Sequence, residues 1–144
     1  MSLKIGLIGL DTSHVIAFTE ILNKEHKVIC GFPGAVPDFD LSINRVEGFT
    51  KRLREEFGVN IVDSPAAVAE QVDLVFITSV DGRAHRRFFE QIVKFKKPTF
   101  IDKPVGGSLR DAISLLDQLV AANATVTLAE AQALLGASAS QTVQ

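Results

Sequence analysis

The chain has 144 residues, 47% of them hydrophobic, and its 15 basic and 17 acidic side chains leave a net charge of −2. This length suits one domain, and the near-neutral charge argues against nucleic acid or an anionic membrane as a partner. The single cysteine, Cys30, excludes an internal disulfide and is typical of a reducing cytoplasm. The first apolar run ends at Asp11, too short for a signal peptide, and no run approaches the ~18 residues of a membrane span. We therefore expect a cytoplasmic domain that binds neither nucleic acid nor membrane.

Short apolar runs alternate along the chain with longer helical patterns, which is typical of β-α units. The runs lack polar alternation, as expected for strands that helices cover on both faces. They predict an α/β fold with a doubly wound, mostly parallel, Rossmann-like sheet. The predicted strands are Leu3–Ile8, Lys27–Cys30, Val59–Val62, Leu74–Thr78, Thr99–Ile101 and Thr125–Leu128.

Helix boundaries are marked by residues with strong positional preferences. Gly58 predicts a helix end, and Ser64 followed by Pro65 predicts a helix start. Ser108 and Asp111 have the spacing of a capping box.

Two segments depart from the β-α pattern. Residues Phe32 to Ile43 contain two prolines and two aspartates and predict a long loop. Residues Gly136 to Gln144 are small and polar, which predicts a disordered tail. The expected organisation is a nucleotide-binding domain over residues 1–135 and a tail over 136–144.

The opening KIGLIGLDTSH, from Lys4 to His14, reads as a buried strand, a glycine turn and a helix start. Such a turn aims free N–H groups and a positive helix dipole at a phosphate. Against the dinucleotide fingerprint G-x-G-x-x-G, only the first glycine is present. The candidate cofactor-binding residues here are Gly9, Leu10, Asp11, Thr12, Ser13 and His14.

Asp11 stands where the second fingerprint glycine is expected. If its carboxylate faced a diphosphate ~4 Å away, repulsion would be about 4 kcal/mol, against about 0.3–1 kcal/mol from the helix dipole. Three outcomes follow: a displaced cofactor, an Asp11 that turns away, or weak binding. We favour helix capping by Asp11 over a catalytic role. The ribose-binding acid expected after the second strand is also missing, and Asp38 and Asp40 are the nearest acids.

Two further stretches, VDLVFITSVDGRAH (72–85) and KKPTFIDKPVGGSLRDA (96–112), complete a pattern with the opening. Together they resemble the N-terminal domain of the glucose–fructose oxidoreductase/inositol dehydrogenase/MocA family, over about residues 3 to 128. The resemblance implies a Rossmann domain that binds NAD or NADP. It also implies a larger α/β substrate domain that follows, and oxidation or reduction of sugar- or polyol-type compounds.

The same resemblance assigns roles to two turns. Lys103 corresponds to the lysine of the family's E/D-K-P motif, near the nicotinamide and substrate, and is the candidate catalytic residue. Pro104 would orient Lys103, and the bond before a proline tolerates the cis form. The turn of Thr78, Ser79, Val80 and Asp81 would line the cofactor. Without the resemblance, Lys103 and Pro104 would be interpreted as a strand end.

The chain also departs from the family, since it stops where the substrate domain should begin. We expect a single domain that lacks turnover alone and that self-associates through the surface left uncovered. The alternative is a non-catalytic, degenerate Rossmann module used for assembly or ligand sensing.

Open parallel sheets bind ligands beyond the carboxyl ends of their strands, which places Gly9–His14, Ser79–Arg83 and Asp102–Pro104 around one crevice. Other charged groups are expected near this crevice. Asp11, His14, Asp81 and His85 are ligand types that suit zinc or manganese, but their spacing matches no metal motif, and no metal site is predicted. Arg83 is expected at a helix start beside the crevice, where it could meet a phosphate.

Overall fold

The computed structural model describes residues 2–106 and Ile113. Within these residues, five strands alternate with four helices in the order that the apolar runs predict. The elements are β1 (Lys4–Ile8), α1 (His14–Leu22), β2 (Lys27–Phe32), α2 (Asp40–Phe57), β3 (Asn60–Ile61), α3 (Pro65–Ala69), β4 (Leu74–Ile77), α4 (Gly82–Ile92), a 3-10 turn (Val93–Phe95) and β5 (Thr99–Ile101). None of the helices in this part of the chain is long and apolar enough to cross a membrane.

The strands form one parallel sheet in the order β3-β2-β1-β4-β5. Ile8 at the end of the central strand lies opposite Phe32 on one side and Ile77 on the other. The order reverses at β1, and this switch is where doubly wound sheets bind ligands beyond their carboxyl ends. The predicted fold class is confirmed.

Helices cover both faces of the sheet, which explains why the strands are apolar without alternation. Ile5 and Leu7 belong to the cluster packed with α1 and α2, whereas Ile8 belongs to the cluster packed with α3 and α4. A Cβ on Gly6 would lie 2.3 Å from a methyl of Val68, so α3 sits directly on the central strand.

The predicted long loop over residues 32–43 is wrong at both ends. Strand β2 continues through Gly31 and Phe32, which pair with Leu7 and Ile8. Helix α2 already begins at Asp40, after an extended Phe39 whose carbonyl accepts the first helical N–H groups. The loop is therefore residues 33–39.

The predicted helix boundaries in the described region are confirmed. Ser64 accepts from the N–H of Ala67 at 3.1 Å with Pro65 as the first residue of α3, and Gly58 ends α2 with a φ of 67°. The predicted strand Thr125–Leu128, the Ser108–Asp111 box and the tail from Gly136 to Gln144 lie outside the described residues.

Candidate functional site

The turns that leave β1, β4 and β5 meet at the carboxyl edge of the sheet and enclose a pocket of about 420 Å³. Parallel strands end at one edge, so residues far apart in sequence become neighbours there. The lining residues are Thr12, Ser13, His14, Arg45, Thr78, Val80, Asp102, Lys103 and Pro104.

The turn after β1 requires its glycine for two reasons. Gly9 has a φ of 90°, and a Cβ there would lie 2.5 Å from the backbone N of Ser79. The N–H groups of Gly9 and Leu10 donate to the carbonyls of Phe32 and Pro33 at 2.9 and 2.8 Å. These contacts hold the turn against the two neighbouring strands.

The beginning of α1 faces the pocket with unused donors. Thr12 and Ser13 line the pocket, and no acceptor in the described part of the chain takes their N–H groups. Together with the positive end of the helix dipole, such N–H groups suit an anion.

The interpretation of Asp11 as a helix cap is wrong. The residue at the start of α1 is Ser13, which makes no side-chain cap, and the Asp11 side chain is fully buried. Its carboxylate accepts from the Val80 N–H at 2.8 Å and the Ser42 hydroxyl at 2.6 Å, with the Ser79 hydroxyl at 3.5 Å. Asp11 therefore turns into the protein, and the repulsion considered above does not arise in this geometry.

Of the six candidates in the first turn, the structure brings three to the pocket. Thr12, Ser13 and His14 line it, whereas Leu10 and Asp11 are fully buried beneath it. Gly9 lies under the turn after β4.

The turn after β4 both lines the pocket and supports the first turn. The hydroxyl of Thr78 donates to the Gly9 carbonyl at 2.7 Å, and Ser79 is buried against Gly9. Asp81 is the N-cap residue of α4, where its carboxylate accepts from the Arg83 N–H at 2.9 Å. Thr78 and Val80 line the pocket, whereas Ser79 and Asp81 have structural contacts.

Arg83 does not face the pocket as expected. Its guanidinium pairs with Asp81 at 2.6 Å and with Asp38 at 3.2 Å. This guanidinium holds the pKa of the Asp81 carboxyl below its ordinary value. The arginine that lines the pocket is Arg45, which sequence reasoning missed.

Arg45 reaches the pocket because α2 begins beside it. Ser42, three residues earlier, contacts Asp11, and residues three apart share a helix face. The Arg45 guanidinium carbon lies 5.3 Å from the Phe49 ring centre. The available sequence signal was the spacing of Ser42 and Arg45, which puts them on one helix face, but the predicted loop ran to Ile43 and so placed Ser42 outside the helix.

The loop after β5 presents Lys103 to the pocket. The N–H of Asp102 donates to the Ile77 carbonyl at 2.9 Å, and the N–H of Lys103 donates to the Asp102 carboxylate at 2.9 Å. The Lys103–Pro104 bond is cis. Lys103 and Pro104 are exposed and line the pocket.

An imidazole–carboxylate pair joins the first and last of these turns. Nδ1 of His14 lies 2.5 Å from an Asp102 oxygen, with the two side chains 38% and 10% exposed. The His14 ring also contacts Phe18, with ring centres 5.5 Å apart. Sequence reasoning placed both residues at this crevice without pairing them.

The remaining reactive groups near the sheet are buried. His85 is inaccessible, its Nε2 donates to the Ser79 carbonyl at 2.7 Å, and burial lowers its pKa. Burial raises the pKa of the Cys30 thiol to about 11. Among the residues that the structure describes, no group of three His, Cys, Asp or Glu could hold a metal ion.

A second pocket of about 500 Å³ lies beyond the carboxyl ends of β2 and β3. Its lining includes Phe32, Val62, Asp63, Arg87 and Phe88. The two nearest acids after β2 are placed elsewhere, because Asp38 pairs with Arg83 and Asp40 opens α2.

The sheet order, the glycine turn and the free N–H groups of α1 define a nucleotide-binding domain of the Rossmann class. Residues 4–130 match the GFO/IDH/MocA model, described as an oxidoreductase family with an NAD-binding Rossmann fold. The chain belongs to this family.

Solved structures share the fold. An oxidoreductase from Agrobacterium radiobacter, in complex with NAD+, L-tartaric acid and magnesium, is 21% identical with a TM-score of 0.66, over 85% of this chain and 33% of that one. Apo scyllo-inositol dehydrogenase from Lactobacillus casei is 25% identical with a TM-score of 0.63, over 88% and 35%. The WlbA dehydrogenase from Chromobacterium violaceum, with NADH and UDP-GlcNAcA, is 17% identical with a TM-score of 0.64, over 84% and 33%.

The chain thus spans about a third of the length of these solved proteins. No curated protein matches it.

Proposed function

We propose that this chain is the dinucleotide-binding domain of an NAD(P)-dependent oxidoreductase that acts on a CH–OH group of a sugar- or polyol-type compound. The family match supports the cofactor class, and similar structures contain NAD+ or NADH. Because the chain spans about a third of those proteins, we infer that the substrate site is completed by a second domain. The chain alone is then expected to lack turnover.

The observation that carries the proposal is the set of donors around one pocket. The pocket is lined by Arg45 and by Thr12 and Ser13, whose N–H groups are free, whereas the Asp11 carboxylate turns away to Ser42 and Val80. These donors fit a diphosphate, because backbone N–H groups at a helix start and arginine both bind phosphate oxygens.

Lys103 lies on the same pocket and suits the reacting end of the ligand. A bound nicotinamide would supply a hydride acceptor or donor. The Lys103 ammonium would donate a hydrogen bond to the substrate oxygen and polarise it.

Calorimetric titration of the full chain with NADH and with NADPH tests the proposal. We expect heat of binding with at least one of them below millimolar concentration. Arg45→Gln should weaken that binding by about tenfold or more, since a charge-assisted hydrogen bond is worth about 1.5–3 kcal/mol. Arg52→Gln is the matched control, because Arg52 is on the same helix but pairs with Glu56. If neither NADH nor NADPH gave heat of binding at millimolar concentration, the proposal would be contradicted.

The alternative is a degenerate Rossmann module without catalysis, and one observation favours it. The acid that would hold a ribose after β2 is missing, and Asp38 is already paired with Arg83. This alternative predicts no dinucleotide binding by the wild-type chain. Heat of binding of NADH or NADPH to the wild-type chain would exclude it.

A further inference from the structure

We propose that His14 is an acid–base residue of this pocket and that Asp102 is the positioning residue that orients it. The inference rests on the proposed function and deepens it. It gives the hydroxyl proton of the substrate an acceptor within the nucleotide-binding domain itself.

Asp102 is held firmly enough to orient a neighbour. Its backbone N–H donates to the Ile77 carbonyl, and one carboxylate oxygen accepts from the Lys103 N–H at 2.9 Å. The other oxygen lies 2.5 Å from Nδ1 of His14. An ionised carboxylate can only accept, so Nδ1 carries the hydrogen and Nε2 of the neutral ring keeps its lone pair.

His14 differs from the other two histidines in where its ring lies. It lines the pocket with its side chain 38% exposed. His85 is fully buried with Nε2 already donating to the Ser79 carbonyl. Nδ1 of His26 accepts from the N–H of Leu3, beside the start of β1. Of the three, His14 alone combines a carboxylate partner with access to the pocket.

Lys103 and His14 have different roles in the pocket. Lys103 as an ammonium has three donors and no acceptor, so it can polarise a substrate oxygen but cannot take a proton. Nε2 of His14 can accept one. A bound NAD(P)+ would supply the hydride acceptor: as the substrate C–OH is oxidised to C=O, its C–H hydride would go to the nicotinamide and its O–H proton to Nε2 of His14. Asp102 stabilises the resulting imidazolium, and reduction runs the same transfers in reverse.

The first test is the tautomer of His14, read from ring ¹⁵N chemical shifts of the full chain at a pH where the ring is neutral. We expect hydrogen on Nδ1 in the wild type. In Asp102→Asn the amide can donate to Nδ1 and force the hydrogen onto Nε2. Asp73→Asn is the control, because Asp73 accepts from the Lys4 N–H at the other end of the sheet. A wild-type ring with hydrogen mainly on Nε2 would overturn the proposal.

The second test measures how fast the unprotonated ring nitrogen of each histidine reacts with diethyl pyrocarbonate. Peptide mass spectrometry identifies the carbethoxylated histidines. We expect His14 to react faster than His85 and to react about tenfold more slowly in Asp102→Asn. Equal rates for His14 and His85 would contradict the proposal, even if Asp102→Asn did not fold. Protection of His14 from carbethoxylation by added NADH distinguishes the proposed role of His14 from the proposed function of the domain. Heat of NADH binding without protection refutes the role of His14, whereas no heat refutes the proposed function.

Discussion

Two aspartates lie at the carboxyl edge of the sheet, Asp11 in the turn after β1 and Asp102 in the loop after β5. The Asp11 carboxylate is fully buried and accepts from groups on α2 and on the turn after β4. The Asp102 carboxylate lies at the pocket wall and contacts an imidazole. The donors that surround each carboxylate, rather than its residue type or its strand end, decide between a structural and a chemical role.

Substitutions in the turn after β1 should destabilise the protein more than substitutions in the loop after β5. Gly9→Ala is expected to lower the free energy of unfolding by about 4 kcal/mol, combining backbone strain with a backbone clash. The Cβ would lie 2.5 Å from the N of Ser79, which cannot move without shifting β4. Urea unfolding monitored by circular dichroism measures the change.

Gly48→Ala is the control for the glycine substitution. Gly48 is inside α2, and apart from its chain neighbours and the backbone of its own helix, no atom of the described residues lies within 4 Å of the position that an added methyl group would occupy. Its replacement should stabilise the protein by about 0.5–1 kcal/mol, because alanine is the better helix former. If both substitutions had the same effect, the close approach at Gly9 would not be important.

The second comparison is between alanine substitutions of the two aspartates. Asp11→Ala should cost about 3 kcal/mol of unfolding free energy, because the Val80 N–H and the Ser42 hydroxyl lose their acceptor inside the protein. Asp102→Ala should cost about 1 kcal/mol, because water at the pocket wall can replace the lost carboxylate as the acceptor for its former donors. Chemical denaturation of both variants under one buffer decides the order, and a larger loss for Asp102→Ala would reverse the assignment of roles.

The smallest expected effect concerns the buried His85. Burial lowers its pKa from the ordinary value of 6.5, although the Ser79 carbonyl and the carboxylates of Asp102 and Asp11 oppose the shift. The unfolded chain therefore binds the proton more readily, and stability falls as the pH drops below 6.5. We expect a slope of at most roughly 1 kcal/mol per pH unit between about pH 7 and pH 5.

His85→Gln should flatten this pH dependence, since its amide can still donate to the Ser79 carbonyl but does not titrate. The range stops at about pH 5 so that carboxyls such as Asp81 remain ionised. An unchanged slope in the variant would assign the pH dependence to other groups.

The sequence was sufficient to predict the sheet. Continuous apolar runs identified the five described strands, and the meeting of Gly9, Ser79 and Lys103 followed from the rule that parallel strands end at one edge. Local preferences also located the boundaries at Gly58 and Ser64, because a left-handed helix end and a capped start depend on few neighbours.

Side-chain direction could not be predicted in the same way. Asp11 is an ordinary helix-capping residue by local preference, and its inward turn depends on donors from Ser42 and Val80, which are distant in sequence. Arg45 and the His14–Asp102 pair depend equally on contacts between separate elements. The start of α2 was missed because Pro37, Asp38 and Asp40 are typical of loops.

Placing β1 at the centre of the sheet has a consequence for folding kinetics. The strand pairs with β4, and the Lys4 N–H donates to Asp73, 69 positions along the chain. Closing so long a loop carries an entropy cost before any contact is gained, and non-local strand pairing slows folding. During synthesis, the innermost strand is made before β4 and must wait for about 70 further residues, with its apolar side chains available to other unfinished chains in the meantime.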